Sequence, residues 1–430
     1  MTFLLRIKIT VAFFLSLYLN KEYKVNLFPM KKAGIIIIYS TLLLAFINCS
    51  TSALSQSNDN TIQIGLLTYS PGEELYSVFG HSAIRVRNTI TNTDDVYNYG
   101  TFNFNDPKFY FGFVKGKLIY TLSKVPFTLV LQQIQLENRS LIETPLNLSP
   151  AEKSKMAQLL RVNYLPENRE YLYDFLYNNC SSKIMDVIIE STSDSLEYNQ
   201  RVTPKKSFRK LIDSYSKERP WIDIGIDFLM GTPADHRAKG IKISFLPDYL
   251  HLLLKNIRLK QEFGFEKSLA QSDIVHTHIQ TKSSKVLIQP GVILWSLVLI
   301  LIISSAFGTY IPGFFRILEK SILILFGSLG LIVIILWAAT DHYIFNYNTD
   351  LLWANPLLLF IVFLKDSLKQ LKIKVKLTYL TTVMVFFGIL TTMIIERNFN
   401  LSALAAMVVI CLIHKIQIFR TTDSDPYYNA

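Results

Sequence analysis

The last third of the chain restricts its fold more than any other feature. Five apolar segments, at 290–311, 321–339, 351–364, 377–395 and 399–414, reach or approach the length needed to cross a bilayer. Backbone N–H and C=O groups find no partner in hydrocarbon, so such segments are read as helices. The third is the shortest and contains Pro356. Half of the residues are hydrophobic, mean hydropathy is +0.28 and the formal net charge is +11. The positive charge is placed where a membrane protein would put it. Loop 312–320 carries Arg316 and Lys320, loop 365–376 carries Lys365, Lys369, Lys372, Lys374 and Lys376, and the tail carries Lys415 and Arg420. Loop 340–350 has no Lys or Arg, and 396–398 has only Arg397. All three basic loops fall on the cytoplasmic side if the polar block 54–285 lies outside. With the charge used in this way, nothing is left to support a nucleic-acid role.

The N-terminus agrees with export. Met30-Lys31-Lys32, followed by the apolar run Ala33 to Ile47 and the small residues Thr51-Ser52-Ala53, has the shape of a signal peptide. Met30 is then the expected start and Met1 to Pro29 an upstream extension; an uncleaved anchor is the alternative. Lipidation at Cys49 would need small residues where Phe46-Ile47-Asn48 stand. The expected division is an N-terminal extension and signal peptide or anchor at 1–53, a periplasmic domain at 54–275 and a linker at 276–289. A five-helix transmembrane domain at 290–416 and a cytoplasmic tail at 417–430 follow. His276 and His278 could hold a metal, but no carboxylate or thiol stands at ligand spacing, so a solvated linker is expected there and no cofactor is called for.

The chain has three cysteines, and Cys180 is the one in the exported block. A thiol without a partner in an oxidising compartment is worth flagging as reactive. It lies in Asn178-Asn179-Cys180-Ser181-Ser182, and Ile184, Val187 and Ile188 after it keep helical spacing. Cys180 therefore falls in the first turn of a helix, where the dipole and unpaired N–H groups favour a thiolate and can receive an oxyanion. Upstream, His81 opens a strand in which Ile84 and Val86 alternate with Arg85 and Arg87. Val96 to Tyr99 reads as the second strand of a hairpin. His81 is the expected general base and Asn98 the first choice to orient it, with Asp95 and Tyr99 behind. Ser82, Asn179 and Ser181 flank the pair. A buried structural Cys180 with a core His81 is the competing interpretation.

Other elements are predicted more simply. Residues 62–67 read as a strand, Ser149-Pro150-Ala151-Glu152 as the capped start of a helix over 149–162, and Tyr171 to Tyr177 as an extended approach to Cys180. The aromatic run Tyr97, Tyr99, Phe102, Phe104, Phe109, Tyr110, Phe111, Phe113 and Tyr120 is core packing, or a wall that grips acyl chains.

The order of His strand before Cys helix resembles the circularly permuted branch of the NlpC/P60 (papain-like) superfamily. More closely, the chain resembles the Lnb-type lipoprotein N-acyltransferases. The stretches that carry this are Tyr76-Ser77-Val78-Phe79-Gly80-His81-Ser82-Ala83-Ile84-Arg85, Asn98-Tyr99-Gly100-Thr101-Phe102-Asn103-Phe104 and Asn178-Asn179-Cys180-Ser181. Gly231-Thr232-Pro233-Ala234-Asp235, Phe245-Leu246-Pro247-Asp248-Tyr249-Leu250, Thr340-Asp341-His342 and Leu352-Trp353-Ala354-Asn355-Pro356 extend it. The segment before Met30 does not fit. The resemblance implies an α+β, circularly permuted papain-like exported domain followed by an all-α five-helix transmembrane domain in a bacterial inner membrane. It implies transfer of an acyl chain from a membrane phospholipid, through a Cys180 thioester, to the α-amino group of a diacylglyceryl-cysteine lipoprotein. On that reading Asp341, His342, Trp353 and Asn355, in a loop on the exported side, would bind a lipid headgroup or the lipoprotein N-terminus; the alternative is interfacial anchoring by Tyr343, Tyr347 and Trp353. Gly231 to Asp235 reads as a turn and N-cap, with His236 a lesser catalytic choice. A membrane-anchored cysteine peptidase or amidase acting on cell-wall peptides, and a non-catalytic scaffold, are the competing functions.

Overall fold

Strand β1 (Ile62–Tyr69) is apolar on both faces, and such a strand must be covered on both. The computed structural model describes residues 61–102, 112, 115–192, 196–198, 205–260, 266–279, 289–306, 312–364, 368–395 and 398–423. Expectations for the N-terminal segment with Met30 and Cys49, for Phe104, Phe109, Tyr110, Phe111 and Phe113, and for Lys365 and Arg397 lie outside the described residues.

β1 pairs with β2 (His81–Asn88), which forms the expected hairpin with β3 (Thr93–Thr101). β4 (Ile119–Pro126), β5 (Leu141–Pro145) and β6 (Glu170–Leu172) follow. β7 (Leu196–Tyr198), β8 (Ile257–Lys260) and β9 (Glu266–Ser268) make a small separate sheet, and β10 (Ile274–Thr277) returns to the main one. The main sheet runs β10-β5-β1-β2-β3-β4-β6, with every described pair antiparallel. His276 thus stands on an edge strand, with Nε2 2.6 Å from Glu143 Oε2, and not in a solvated linker.

Successive residues of each strand feed opposite cores. Leu67, Ala83, Val96 and Leu141 pack against Phe127, Val130 and Ile134 of α1 (Phe127–Leu136). Leu66, Ile84, Tyr97 and Leu122 pack against α2 (Pro150–Asn163) and α3 (Cys180–Thr192). Ser149 caps α2 as predicted. Its Oγ accepts from Glu152 N–H and its own N–H donates to Glu152 Oε2, a capping box worth about 1 kcal/mol. In α3, Ile184, Val187 and Ile188 are buried toward the sheet, as the helical spacing predicted.

α4 (Phe208–Ser216), α5 (Pro220–Leu229) and α6 (Pro247–Asn256) complete the exported block. The chain then enters α7 (Pro290–Ala306), α8 (Pro312–Ala339), α9 (Leu357–Phe363), α10 (Leu368–Ile394) and α11 (Phe399–Asp423). Among the described residues three stretches are long and apolar enough to span a membrane: Gly313–Ala339, Leu371–Ile394 and Phe399–Ile418. The first and third expected segments are shorter helices. The expected basic loops are largely helix ends, because helices propagate one hydrogen bond per residue past the apolar boundary. Arg316 and Lys320 lie in the first turns of α8, and Lys369 to Lys376 in those of α10.

A polar junction joins the exported block to the helices. Asn348 Nδ2 donates to the Phe228 and Leu229 carbonyls at 2.8 and 3.1 Å, and Gly231 N–H donates to the Ile344 carbonyl at 2.8 Å. A Cβ on Gly231 would overlap the Asn346 carbonyl, so only glycine permits this approach. Asn398 N–H and Nδ2 donate to Asp227 and Asp223 at 2.9 and 2.7 Å. Behind them the buried Arg209 pairs with Asp227 and Asp235 and donates to the carbonyls of Met230 and Gly231. Among the described residues, these contacts with the exported block come from 340–356 and from Asn398.

Candidate active site

Three backbone placements bring one thiol and one imidazole together. Cys180 is the first residue of α3, His81 is the first residue of β2, and Asn98 lies on β3 beside β2. Asn179 fixes the helix start. Its Oδ1 accepts from the N–H groups of Ser181 and Ser182, both at 2.9 Å, and its Nδ2 donates to the carbonyls of Phe175 and Phe245, both at 2.7 Å. Ser181 and Ser82, both fully buried, join at 3.0 Å and tie the first turn of α3 to the start of β2. The Asn179 cap takes the N–H groups of Ser181 and Ser182, so the donor left for an oxyanion at this helix end is the N–H of Cys180 itself.

His81 Nε2 lies 2.7 Å from Asn98 Oδ1. An amide oxygen only accepts, so Nε2 carries the proton, and Nδ1 is left for the Cys180 thiol, with which His81 is hydrogen-bonded. Tyr69 packs edge-on against the imidazole at 5.3 Å between ring centres. Burial raises the Cys180 thiol, but the neighbouring His81 charge, the His81 hydrogen bond and the Ser82 backbone outweigh it, and the thiol is lowered to about 7. Burial pulls His81 down, but Cys180 and Asn98 more than compensate, and its pKa is raised. A low thiol beside a raised imidazole is the electrostatic condition for a thiolate–imidazolium pair.

Gly100 has a role here that the sequence reading did not assign. A Cβ on it would stand 2.6 Å from His81 Cε1 and 3.2 Å from Asn98 Oδ1. The signal available was a glycine two residues after Asn98 on a strand, where glycine marks close approach.

Other expected residues lie elsewhere. Asp95 pairs with Lys124 at 3.1 Å, and Tyr99 receives Asn163 Nδ2 on its hydroxyl at 2.8 Å, so neither holds His81. His236 is exposed in the loop after Asp235, and Asp235 serves Arg209. Asp341 is exposed, 3.9 Å from Lys117. Trp353 is fully buried, with Nε1 donating to Asp350 Oδ1 at 2.9 Å and its ring against Phe228 and Phe326. Asn355 is buried in the same region and donates to the Leu352 carbonyl. Trp353 and Asn355 thus pack within the helical core, facing neither a headgroup nor an interface. The exposed rings of that loop are Tyr343 and Tyr347.

His342 is placed differently. It lines an apolar cavity of about 280 Å³ with Phe79, Tyr120, Tyr173, Met230 and Phe345. Tyr120 and Tyr173 stack at 4.2 Å. Burial pushes the Tyr120 hydroxyl up to about 12 and raises that of Tyr173 well above the ordinary tyrosine value, and Cys180 adds to both shifts. These two rings belong to the cavity wall, and Cys180 and His81 do not line it. A larger, half-polar cleft of about 1300 Å³ runs past Tyr76, Arg139, Tyr215 and Asp248, and Cys180 and His81 do not line this one either. Among the described residues no cluster of His, Cys, Asp and Glu could hold a metal ion.

The α+β block, its membrane-spanning helices and the junction between them define a membrane protein with an exported domain. The chain matches the Lnb N-terminal periplasmic domain over residues 50–214 and the Lnb transmembrane domain over residues 281–424. It belongs to the Lnb family, and it is accordingly an inner-membrane protein whose antiparallel-sheet domain faces the periplasm. Searches of curated proteins and of solved structures each found no match.

Proposed function

We propose that this protein is a lipoprotein N-acyltransferase with Cys180 as nucleophile, His81 as base and acid, and Asn98 as the group that orients His81. The observation that supports it most is the hydrogen-bonded series Cys180–His81–Asn98, with the thiol lowered to about 7, in a domain fastened to membrane helices. We read the exported block as a circularly permuted papain-like domain, since β2 with the histidine precedes α3 with the cysteine, and we assign all five helices α7–α11 to its membrane part.

The Cys180 thiolate attacks an ester carbonyl of a membrane phospholipid. The tetrahedral oxyanion is met by the Cys180 N–H. As it collapses, the ester C–O bond breaks, His81 gives its proton to the departing alkoxide, and a thioester and a lysophospholipid result. The α-amino group of a diacylglyceryl-cysteine lipoprotein then attacks the thioester and loses a proton to His81. The C–S bond breaks, and an amide and the original thiolate–imidazolium pair remain. No metal or cofactor is called for. The membrane supplies both donor and acceptor, which is why helices accompany the domain.

The competing amidase of cell-wall peptides would need no apolar cavity walled by the segments that lead to its thiol and imidazole, and the rings of Tyr120 and Tyr173 favour hydrocarbon there. The test is mass spectrometry of a lipoprotein N-terminus made in vesicles of phosphatidylethanolamine by the full chain. Wild type is expected to add one amide-linked acyl chain, and Cys180→Ala none. Acylation by Cys180→Ala would remove the nucleophile from the scheme, and cleavage of muropeptides without acylation would favour the amidase.

A further inference from the structure

We propose that the cavity of about 280 Å³ between the exported domain and the 342–345 loop is the acyl-chain site. It holds the single hydrocarbon chain borne by Cys180, and α5 and the membrane loop set the chain length it accepts. The choice of ligand rests on the acyltransferase reading above. The location rests on the packing.

The walls grow directly out of the reacting elements. Phe79 stands two residues before His81, and Tyr173 and Phe175 stand a few residues before Cys180. Each segment that delivers a reacting side chain has therefore first laid an aromatic ring into the cavity. Phe79 and Phe175, 5.1 Å apart between ring centres, line the cavity and pack against the same hydrophobic core as Cys180. The cavity is nearly free of polar groups. Asp174 lines it, but its Oδ1 accepts from the N–H groups of Leu176 and Tyr177, so the carboxylate is turned into its own turn. An apolar pocket of this kind favours an apolar guest over water. Its volume lies at the small end of the roughly 300–1,000 Å³ of small-molecule sites, which suits one chain and not the two of an intact diacyl lipid.

Another wall is built by α5 together with the loop 340–356. Ile226, Leu229 and Met230 contribute from α5 and its end, and Ile344 and Phe345 from the loop. On its other face α5 sets Ile224 and Phe228 into the core of the helical domain. The bonds from Gly231 to Ile344 and from Asn348 to Phe228 lock α5 to the loop. The cavity therefore lies between the segments that lead to His81 and Cys180 and a braced wall, and a braced wall can measure length.

The test uses the full chain in phosphatidylethanolamine vesicles carrying equal amounts of 12-carbon and 16-carbon chains, with the Cys180 thioester read by intact-protein mass spectrometry. Ile226→Trp shortens the cavity from a half-buried position. It is expected to shift the thioester toward 12 carbons by about fourfold per methylene excluded. Leu229→Ala, which trims a half-buried side chain at the same wall, is expected to shift it toward 16 carbons and guards against an Ile226→Trp that does not fold. A palmitate bearing a diazirine at its tail is expected to crosslink Cys180→Ala protein at 226–230 or 342–345. Thioester formed with an unchanged chain ratio in both variants, and crosslinks only on the outer faces of the helices, would overturn the site while leaving the chemistry standing. Crosslinks at 226–230 with no thioester on wild type would do the reverse.

Discussion

Cys180 sits under opposed influences, and their balance sets its reactivity. Burial favours the neutral thiol. His81 and the Ser82 backbone favour the thiolate and win, holding the thiol near 7. Iodoacetamide should therefore alkylate Cys180 with a rate that rises through a midpoint near pH 7. In His81→Ala only the weaker Ser82 and Ser181 contacts still oppose burial, so the midpoint should move up, past the ordinary thiol range of about 8.5. An unchanged midpoint in that variant would mean the two groups do not interact. The Gly100 constraint is sharper still. Ala at 100 must push His81 off its line with Asn98. Displacement of a reacting group by about 1 Å costs on the order of 100-fold in rate. Gly100→Ala should lose acyl transfer by about that factor with its unfolding midpoint little changed. Full activity in that variant would mean that His81 tolerates the shift.

At the level of elements, the helices that carry the junction store an electrostatic cost. Asp213 on α4 is raised to about 7 by burial and by the neighbouring carboxylates of Asp227 and Asp223, with Arg209 opposing. Its folded pKa lies above its unfolded value near 3.9, so the folded state binds the proton more tightly. The stability this contributes is complete below that unfolded value and is lost as pH rises toward 7. Asp213→Asn abolishes the titration. Its melting temperature relative to wild type should climb from pH 4 to pH 7 and then level off, as read by scanning calorimetry. A difference that does not vary with pH would show that Asp213 does not titrate in this range. The same junction explains why Gly231-Thr232-Pro233-Ala234-Asp235 reads so plainly as a motif: Gly231 admits the Asn346 carbonyl, and Asp235 holds Arg209.

For the whole molecule, the loop with no Lys or Arg, 340–350, meets the exported domain. Charge bias and packing thus point to one orientation. In a Cys180→Ser background, Ile90→Cys and Tyr347→Cys, at positions 75% and 64% exposed, should react with a membrane-impermeant maleimide from the same side. Lys372→Cys should react only after the membrane is permeabilised. Labelling of positions 90 and 347 from opposite sides would sink this topology. The cavity belongs to this scale as well, since one wall comes from each part of the chain and neither part forms it alone.

What the sequence determined by itself is local. Period-two alternation over 81–87 made a strand, the Ser149-Pro150-Ala151-Glu152 box started a helix, and the spacing of Ile184, Val187 and Ile188 placed Cys180 at a helix start. Each follows from how neighbouring residues repeat along a strand or helix. Apolar length and charge bias likewise identified the membrane part and its direction. Asn98 was legible beside His81 because a hairpin makes the strand register nearly local. The burial of Trp353 and Asn355 and the strand position of His276 were not legible, because composition marks a residue as polar or aromatic but not which surface it meets. Only the tertiary packing decided that Trp353 turns inward to Asp350, that Gly100 must be bare for His81, and that rings from the segments before His81 and Cys180 share a cavity with a distant loop. Those contacts join residues far apart in the chain, and such contacts are set by how the elements pack and not by the local order of residues.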